Sequence, residues 1–330
     1  MKVAVVGATG YLGRSVVENL RSDGCEVISL SRHPEADGAY GALEADVTMP
    51  NLGLGPSSMD ALRGTDAIIS CFGSVSMETN PESTVGLHVH GTEHVFDLAA
   101  RLGTVERVVH VSSVLALGRA EGELGNRELS RDQSFRNWYE YAKYRSELIA
   151  RNERRVPVNI LRLGTLLGPS RPDIIPLSGG PTALLAHVLR GLPLALVDRG
   201  RFPIYASDVA IAARAINMMM KRGEYGITAT YFDPELPDLC YVLEQLSRPW
   251  GIFPRLVDAR VPTWLQRIAA RRLGVYEELS EYSRPLMTFG RDILTHLGDL
   301  ALESRPDYIF ETGRVLRDGG VSFETGGLAR

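Results

Sequence analysis

An apolar run, Val3 to Val6, breaks into Gly7-Ala8-Thr9-Gly10-Tyr11-Leu12-Gly13, and a segment carrying Leu12, Val16, Val17 and Leu20 on one helical face follows at once. Glycine-rich turns occur in many loops, but here three glycines fall where a strand hands over to a helix. The first permits a tight turn with positive φ, the second lets backbone approach a ligand, and the third lets helix pack closely on strand. The helix N-terminus then offers unpaired N–H groups and a partial positive charge, a cradle for a pyrophosphate. The spacing is GxxGxxG, not the commoner GxGxxG, so the signal lies in its placement between strand and amphipathic helix. A tight turn without a ligand is the alternative.

The same rhythm continues. Apolar runs at Val27–Leu30, Ala67–Ser70, Val108–Val111 and Val158–Leu163 read as strands, with helices over about His90–Leu102 and Trp138–Arg154 between them, the latter stopping before Pro157. Continuous apolar strands alternating with helices predict an α/β fold: a doubly wound parallel sheet of the Rossmann type, covered on both faces. After Gly164 the pattern loosens. A strand at Ile204–Ala206, a helix over Asp208–Lys221 and helical stretches at Leu239–Ser247 and Thr263–Leu273 remain. The expected organisation is a dinucleotide-binding domain over 1–167, with 201–232 returning to it, and a smaller substrate-binding lobe from 168–200 and 233–330.

Bulk properties narrow the function. The 330 residues carry a net charge of −4, with no basic excess to follow a nucleic acid or a membrane surface. The apolar stretch Pro181–Val197 is interrupted by His187 and Arg190, which excludes a membrane span. Three cysteines, Cys25, Cys71 and Cys240, stand far apart, arguing against a disulfide framework or zinc site and for a reducing, cytoplasmic setting.

Cofactor choice turns on the end of the second strand. An acidic residue there would bond a ribose 2′-hydroxyl; this chain reads Leu30-Ser31-Arg32-His33. A guanidinium favours a 2′-phosphate, with Arg14 in support, so NADP is expected over NAD. A solvated loop arginine is the alternative. Asp46-Val47, closing a third short strand, stands where adenine would lie, or is an ordinary strand end.

Chemistry-bearing residues follow. "NWYEYAKYRSELIA" sets Tyr139 four residues before Lys143, on one helical face, where an ammonium favours the phenolate and lowers its pKa from about 10. Such pairs also occur by chance on solvated helices. "VVHVSSVLALG" puts Ser112 and Ser113 at the C-terminal end of a parallel strand, the edge where open sheets bind ligands. Serines there also cap turns.

Together, Gly7-x-x-Gly10-x-x-Gly13, Ser113 and Tyr139-x-x-x-Lys143 resemble the extended short-chain dehydrogenase/reductase superfamily. "HGTEHVFDLAARLGTVERVVHVSS", "VNILRLGTLLGP", "IYASDVAIAARAI" and "YIFETGRVLRDGGVSFETGGL" resemble its later segments in order. The resemblance implies that Tyr139 is the acid/base, that Lys143 lowers its pKa and holds the nicotinamide ribose, and that Ser113 binds the substrate oxygen. Gly7, Thr9, Gly10, Tyr11, Leu12 and Gly13 would form the pyrophosphate turn, and Cys71-Phe72-Gly73 would lie against the cofactor. Two departures stand out: His88 where Asn is frequent, and Leu163 where Pro often follows the arginine.

The function expected is NADP-dependent reduction of a small, hydrophobic ketone or aldehyde, or the reverse oxidation. An NAD-dependent sugar-nucleotide epimerase or dehydratase-like enzyme, favoured by Arg201, is one alternative; a non-catalytic NADP-binding regulator is another. Phe202, Tyr205, Trp250, Phe253 and Trp264 would suit an apolar pocket, or belong to the core. A homodimer through the His90 and Tyr139 helices is usual for the resembled superfamily. His88, His90 and His94 around Glu93 do not assemble a metal site in this reading, Met218–Met220 reads as packing, and Arg151–Arg155 as a solvated helix end.

Overall fold

The structure, a computed structural model, describes residues 1–34, 41–74, 80–126, 129–130, 132–177, 180–258, 287–289, 297–298, 300 and 307–321. The helix expected over 263–273, Trp264 and the closing stretch beyond residue 321 lie outside them. In chain order the elements begin with β1 (Lys2–Val6), α1 (Tyr11–Ser22), β2 (Glu26–Ser31), β3 (Ala42–Glu44), α2 (Pro56–Ala61) and β4 (Ala67–Ser70). There follow α3 (Pro81–Val85), α4 (Gly91–Leu102), β5 (Arg107–Ser113), β6 (Gly122–Leu124), α5 (Trp138–Asn152), β7 (Val158–Leu163) and β8 (Thr165–Leu167). The last are α6 (Gly180–Leu189), β9 (Leu194–Leu196), β10 (Ala206–Asp208), α7 (Val209–Lys221), β11 (Thr228–Tyr231), α8 (Leu239–Ser247), β12 (Leu256–Asp258), β13 (Met287–Phe289) and α9 (Tyr308–Asp318).

The chain divides into two compact units. The first takes its residues from Met1–Leu166, Tyr205–Pro234 and Leu286–Ser304. It holds a seven-stranded sheet in the order β11-β7-β5-β4-β1-β2-β3, every neighbouring pair parallel. The expected α/β, doubly wound Rossmann sheet is therefore present. Its strands are continuous apolar runs because both faces are covered: β4 and β7 are buried at every position. The order reverses at β1, whose neighbours are β2 and β4, and the glycine-rich turn sits at that switch point, outside the carboxyl ends of the strands.

Helices follow their sequence patterns. α1 turns Leu12, Val16, Val17 and Leu20 inward. α5 starts at Asn137, whose side chain accepts the Glu140 N–H at 2.9 Å. α4 ends on Gly103 in the left-handed conformation. One helix begins differently from expectation: α3 runs through a π-helical turn, Gly86–His90, into α4. The strand expected at Ile204–Ala206 lies two residues later, as β10. The Ile204 N–H is committed to Pro237 O at 2.8 Å, and Asp208, expected inside the helix, caps α7 by accepting the Ala210 N–H at 2.8 Å. The third strand closes at Glu44, before Asp46, because Asp46 Oδ1 takes the N–H and hydroxyl of Thr48 and turns the chain.

A buried ion pair clamps α5 to the sheet. Arg162, next to the C-terminal end of β7 and fully buried, donates from Nε and Nη2 to the Glu147 carboxylate at 2.7–3.1 Å. Ser112 donates to the same carboxylate at 2.6 Å and Arg151 at 3.0 Å, so Arg151 is an ion-paired group rather than the solvated helix end expected.

The second unit draws on Leu167–Ile204, Glu235–Pro285 and Arg305–Arg330. Its core gathers Leu184, Val188, Leu194, Leu196, Phe202, Leu239 and Leu243, and β9 pairs in parallel with β12. α9 packs on α8 at Gly313, where any Cβ would meet Leu246 O at 2.1 Å.

The clamp makes a stability prediction. Arg162→Leu leaves Glu147 buried and short of its main partner, and lowers the unfolding free energy by about 3–5 kcal/mol in urea titrations, whereas Glu147→Leu with Arg162→Leu restores most of it. Burial pushes Glu147 up, yet Arg162, Arg151 and Ser112 hold its carboxyl below its ordinary value. A depressed folded-state pKa stabilises above the unfolded value of about 4.3, and that contribution is lost as pH falls through and below it. The wild type therefore loses stability below about pH 4 more steeply than the double variant.

Candidate active site

The residues singled out in the sequence gather along the carboxyl edge of the seven-stranded sheet. Gly7 follows β1, Arg32 follows β2, Cys71 follows β4, and Ser113 ends β5. Gly7 has φ of +87°, and a Cβ there would stand 2.7 Å from Phe72 Cα. A Cβ on Gly13 would lie 2.0 Å from Gly7 O, so this glycine sets how closely α1 approaches the strand. Gly10 is the N-cap of α1, exposed, with no side-chain bond to the helix N–H groups and no acidic residue in the first turn. Thr9 is half-buried, and Tyr11 and Leu12 turn inward. An uncapped helix N-terminus with a glycine turn that any side chain would fill fits a dinucleotide pyrophosphate.

The neighbouring loops are less uniform. Arg32 is exposed, and its charge helps hold the Asp46 carboxyl below its usual range, after the two bonds from Thr48. Val47 packs into the core and its carbonyl accepts from His94 Nδ1 at 2.8 Å. The Cys71 thiol donates to Val6 O at 3.3 Å, and burial pushes its pKa up to about 12. Phe72 packs against the sheet core.

Tyr139, partly buried in the first turn of α5, has its phenol close enough to the Ser113 hydroxyl for the serine to draw its pKa down. Ser113 Oγ also accepts the Leu115 N–H at 3.1 Å, so the serine caps a turn and faces the phenol together. Ser112 points elsewhere, to Glu147. Lys143, one turn along α5 and 5% exposed, donates from Nζ to Val111 O at 3.0 Å. The phenol departs from expectation. Burial pushes its pKa up to about 12 and Ser113 pulls it only partly back; the lysine does not hold it below 10. Burial likewise brings Lys143 down to about 8, against the pull of Glu147 and Cys71.

The other residues singled out in the sequence have the following surroundings. Phe202 belongs to the second unit's core, Phe253 is 71% exposed, and Tyr205 packs edge-on against Phe232. Arg201 is exposed after a left-handed pair, Asp198 and Arg199. His94 is spent on Val47, and among the described residues no three metal-ligating side chains cluster. Met219 and Met220 are buried, as the packing reading held. Among the described residues no helix is long and apolar enough to cross a membrane. The sequence reading missed the Glu147–Arg162 clamp and the contact between His88 and Tyr139. An arginine inside the apolar strand "VNILRL" was the available signal for the first, because such a charge needs a buried partner.

Residues 28–213 match the family described as "Male sterility protein". Among curated proteins, the chain is 26% identical over 206 residues to a dTDP-6-deoxy-L-talose 4-dehydrogenase (NAD(P)(+)) of Kitasatospora kifunensis, covering 61% of this chain and 59% of that protein. It is 33% identical over 121 residues to a 4-hydroxy-2-methyl-3-oxo-4-farnesyl-3,4-dihydroquinoline-1-oxide ketoreductase of Stigmatella aurantiaca, covering 36% of each. The chain thus spans less than two thirds of the curated relatives it matches. In fold it resembles MoeE5 in complex with UDP-glucose and NAD, at 21% identity and a TM-score of 0.69 over 96% of this chain and 99% of that one.

The turn geometry predicts that Gly13→Ala forces α1 off the strand. It should cost about 1–3 kcal/mol in thermal unfolding and weaken the binding of a reduced nicotinamide dinucleotide in fluorescence titrations. Taken with the sheet order and the glycine turn, the match over more than half its length makes the chain a member of the male sterility protein family, within the extended short-chain dehydrogenase/reductases.

Proposed function

We propose that the chain is an NADP-dependent oxidoreductase that reduces the ketone or aldehyde of a small, hydrophobic substrate, or runs the reverse oxidation. The observation that carries this reading is the Tyr139 phenol beside Ser113 at the carboxyl edge of the sheet, with Lys143 one helical turn away. Gly7, Thr9, Gly10, Tyr11, Leu12 and Gly13 would hold the pyrophosphate, Arg32 the 2′-phosphate, and Asp46 and Val47 would border the adenine. Cys71, Phe72 and Gly73 would flank the nicotinamide half, and Lys143 its ribose. When bound, the nicotinamide supplies or accepts the hydride.

The chain's own residues do the rest. Ser113 and Tyr139 donate hydrogen bonds to the substrate oxygen, and Tyr139 passes its proton to that oxygen as negative charge develops. Lys143 leaves Val111 O to meet the ribose, and its charge then eases proton loss from the phenol. In this reading residues 1–167 with 201–232 bind the dinucleotide, and 168–200 with 233–330 form the substrate lobe. A cytoplasmic setting goes with it, supported by three free thiols. So does a homodimer, which sedimentation analysis tests.

The primary test follows NADPH absorbance across a panel of apolar ketones and aldehydes. Tyr139→Phe should lower kcat by about 10²–10⁴-fold while NADPH affinity holds. Turnover of that variant at the wild-type rate overturns the role given to Tyr139. Separately, Arg32→Glu should shift the preference from NADPH toward NADH by about ten-fold or more, the worth of one charge-assisted bond; an unchanged ratio removes Arg32 from cofactor choice.

A second reading draws on the talose dehydrogenase likeness: a sugar-nucleotide dehydrogenase or epimerase. NAD retained through purification, with turnover of a dTDP- or UDP-sugar, selects it over the first.

A further inference from the structure

The π-helical turn Gly86–His90 delivers one side chain toward the candidate site. His88 is 2% exposed, and its ring meets the Tyr139 ring edge-to-face, centroids 5.5 Å apart and planes at 84°. Its Nε2 lies 3.3 Å from Ser74 O. A carbonyl only accepts, so Nε2 carries the proton and Nδ1 the lone pair. The ring is also closed in by the loop after β4: a Cβ on Gly73 would come within 2.9 Å of His88 Cε1. Below it, Thr92 Oγ1 donates to the His88 carbonyl at 2.7 Å and ties the turn to α4. An insertion of this kind in a helix is rare, and such turns concentrate where a side chain must be re-aimed. Burial, then the nearby Lys143 charge, pushes the imidazole down to about 3, so it stays neutral at working pH and neither gives nor takes a proton.

We infer that His88 is a positioning residue: its ring, tethered to Ser74 on the loop after β4, braces the Tyr139 ring and fixes the direction of the phenol toward Ser113. The inference rests on the reading of Tyr139 as proton donor. In this role the imidazole acts through the tyrosine ring. An edge-to-face pair contributes little to stability compared with a core side chain, about 0.5–1.5 kcal/mol, but it restricts ring orientation strongly. Loss of that restraint misplaces the donor, and small misplacements reduce rate far more than binding.

Three variants separate brace from bulk. His88→Phe keeps a ring and loses the tether, His88→Gln keeps a donor and loses the ring, and His88→Ala loses both. Expected for Ala is a fall in kcat of roughly ten- to a hundred-fold with the KM values for ketone and NADPH within about three-fold. Phe should recover most of that kcat and Gln should not. A second readout needs no turnover. In protein carrying 3-fluorotyrosine, the Tyr139 ¹⁹F resonance, assigned by its absence in Tyr139→Phe, should be narrow in wild type and His88→Phe, and broadened or split in His88→Gln. Wild-type kcat in His88→Ala, rescue by Gln but not Phe, or a Tyr139 resonance insensitive to all three would falsify the brace. Should wild type reduce no carbonyl, the reductase reading fails by itself and the fluorine spectra still decide the role of His88. Should His88→Ala not fold, the Phe and Gln pair decides it.

Discussion

The Glu147–Arg162 pair is the interaction on which the rest depends. It joins α5 to the C-terminal end of β7, and through Ser112 it reaches the C-terminal end of β5 as well. Two charges with no solvent exposure are costly to bury, and the pair itself is weak evidence for stability. Its effect is geometric. A bidentate guanidinium–carboxylate contact allows one orientation of the helix about its axis and one depth along it. Lys143 is one turn before Glu147 and Tyr139 one turn before that, so all three occupy one face. Fixing Glu147 on the sheet therefore fixes where the amine and the phenol stand relative to Ser113. A purely apolar contact of equal area tolerates sliding and rotation that this one does not.

The other half of the site is held by exclusion rather than attraction. Gly7, Gly13 and Gly91 each stand where a Cβ would collide with backbone or with the Phe72 ring. Those approaches leave α1 with a bare N-terminus at the switch point and the loop after β4 against the glycine turn. The first turn of α1 carries no acidic residue of its own, and Asp46 is engaged by Thr48 and biased by Arg32. An anion arriving there meets dipoles already oriented.

Much of this was legible in the residues, and the reasons differ by element. Strands β1 and β4 declare themselves because parallel strands buried on both faces are mostly apolar, and β7 does so despite Asn159 and Arg162. α1, α5 and α8 declare themselves through one-sided patterns and clear stops. Spacing marked Tyr139 and Lys143 and a strand end marked Ser112 and Ser113, while the family resemblance singled out Ser113. What escaped depends on contacts remote in sequence or on solvation. The π turn leaves no periodic trace, because one extra residue in a helical run shifts the pattern without breaking it. β10 slid by two residues because Ile204 spends its N–H on Pro237. The phenol's acidity was misjudged because spacing shows that Lys143 is near but not where its amine points, and the amine is turned onto Val111 O.

That last difference bears on the direction of the proposed chemistry. With its pKa near 12, the Tyr139 phenol keeps its proton throughout the neutral range, the state a donor to a developing alkoxide requires. The same phenol is a poor base until a cation approaches it. Lys143 retains its proton up to about 8 and spends a donor on Val111 O. A ligand that draws the amine off Val111 O would therefore lower the phenol's pKa as it binds. In the proposed reaction the acid is thus dormant until the pocket is loaded, which keeps a reactive phenolate from forming in a site that water still reaches. The clamp beneath, by holding α5 still, confines that change to one side chain.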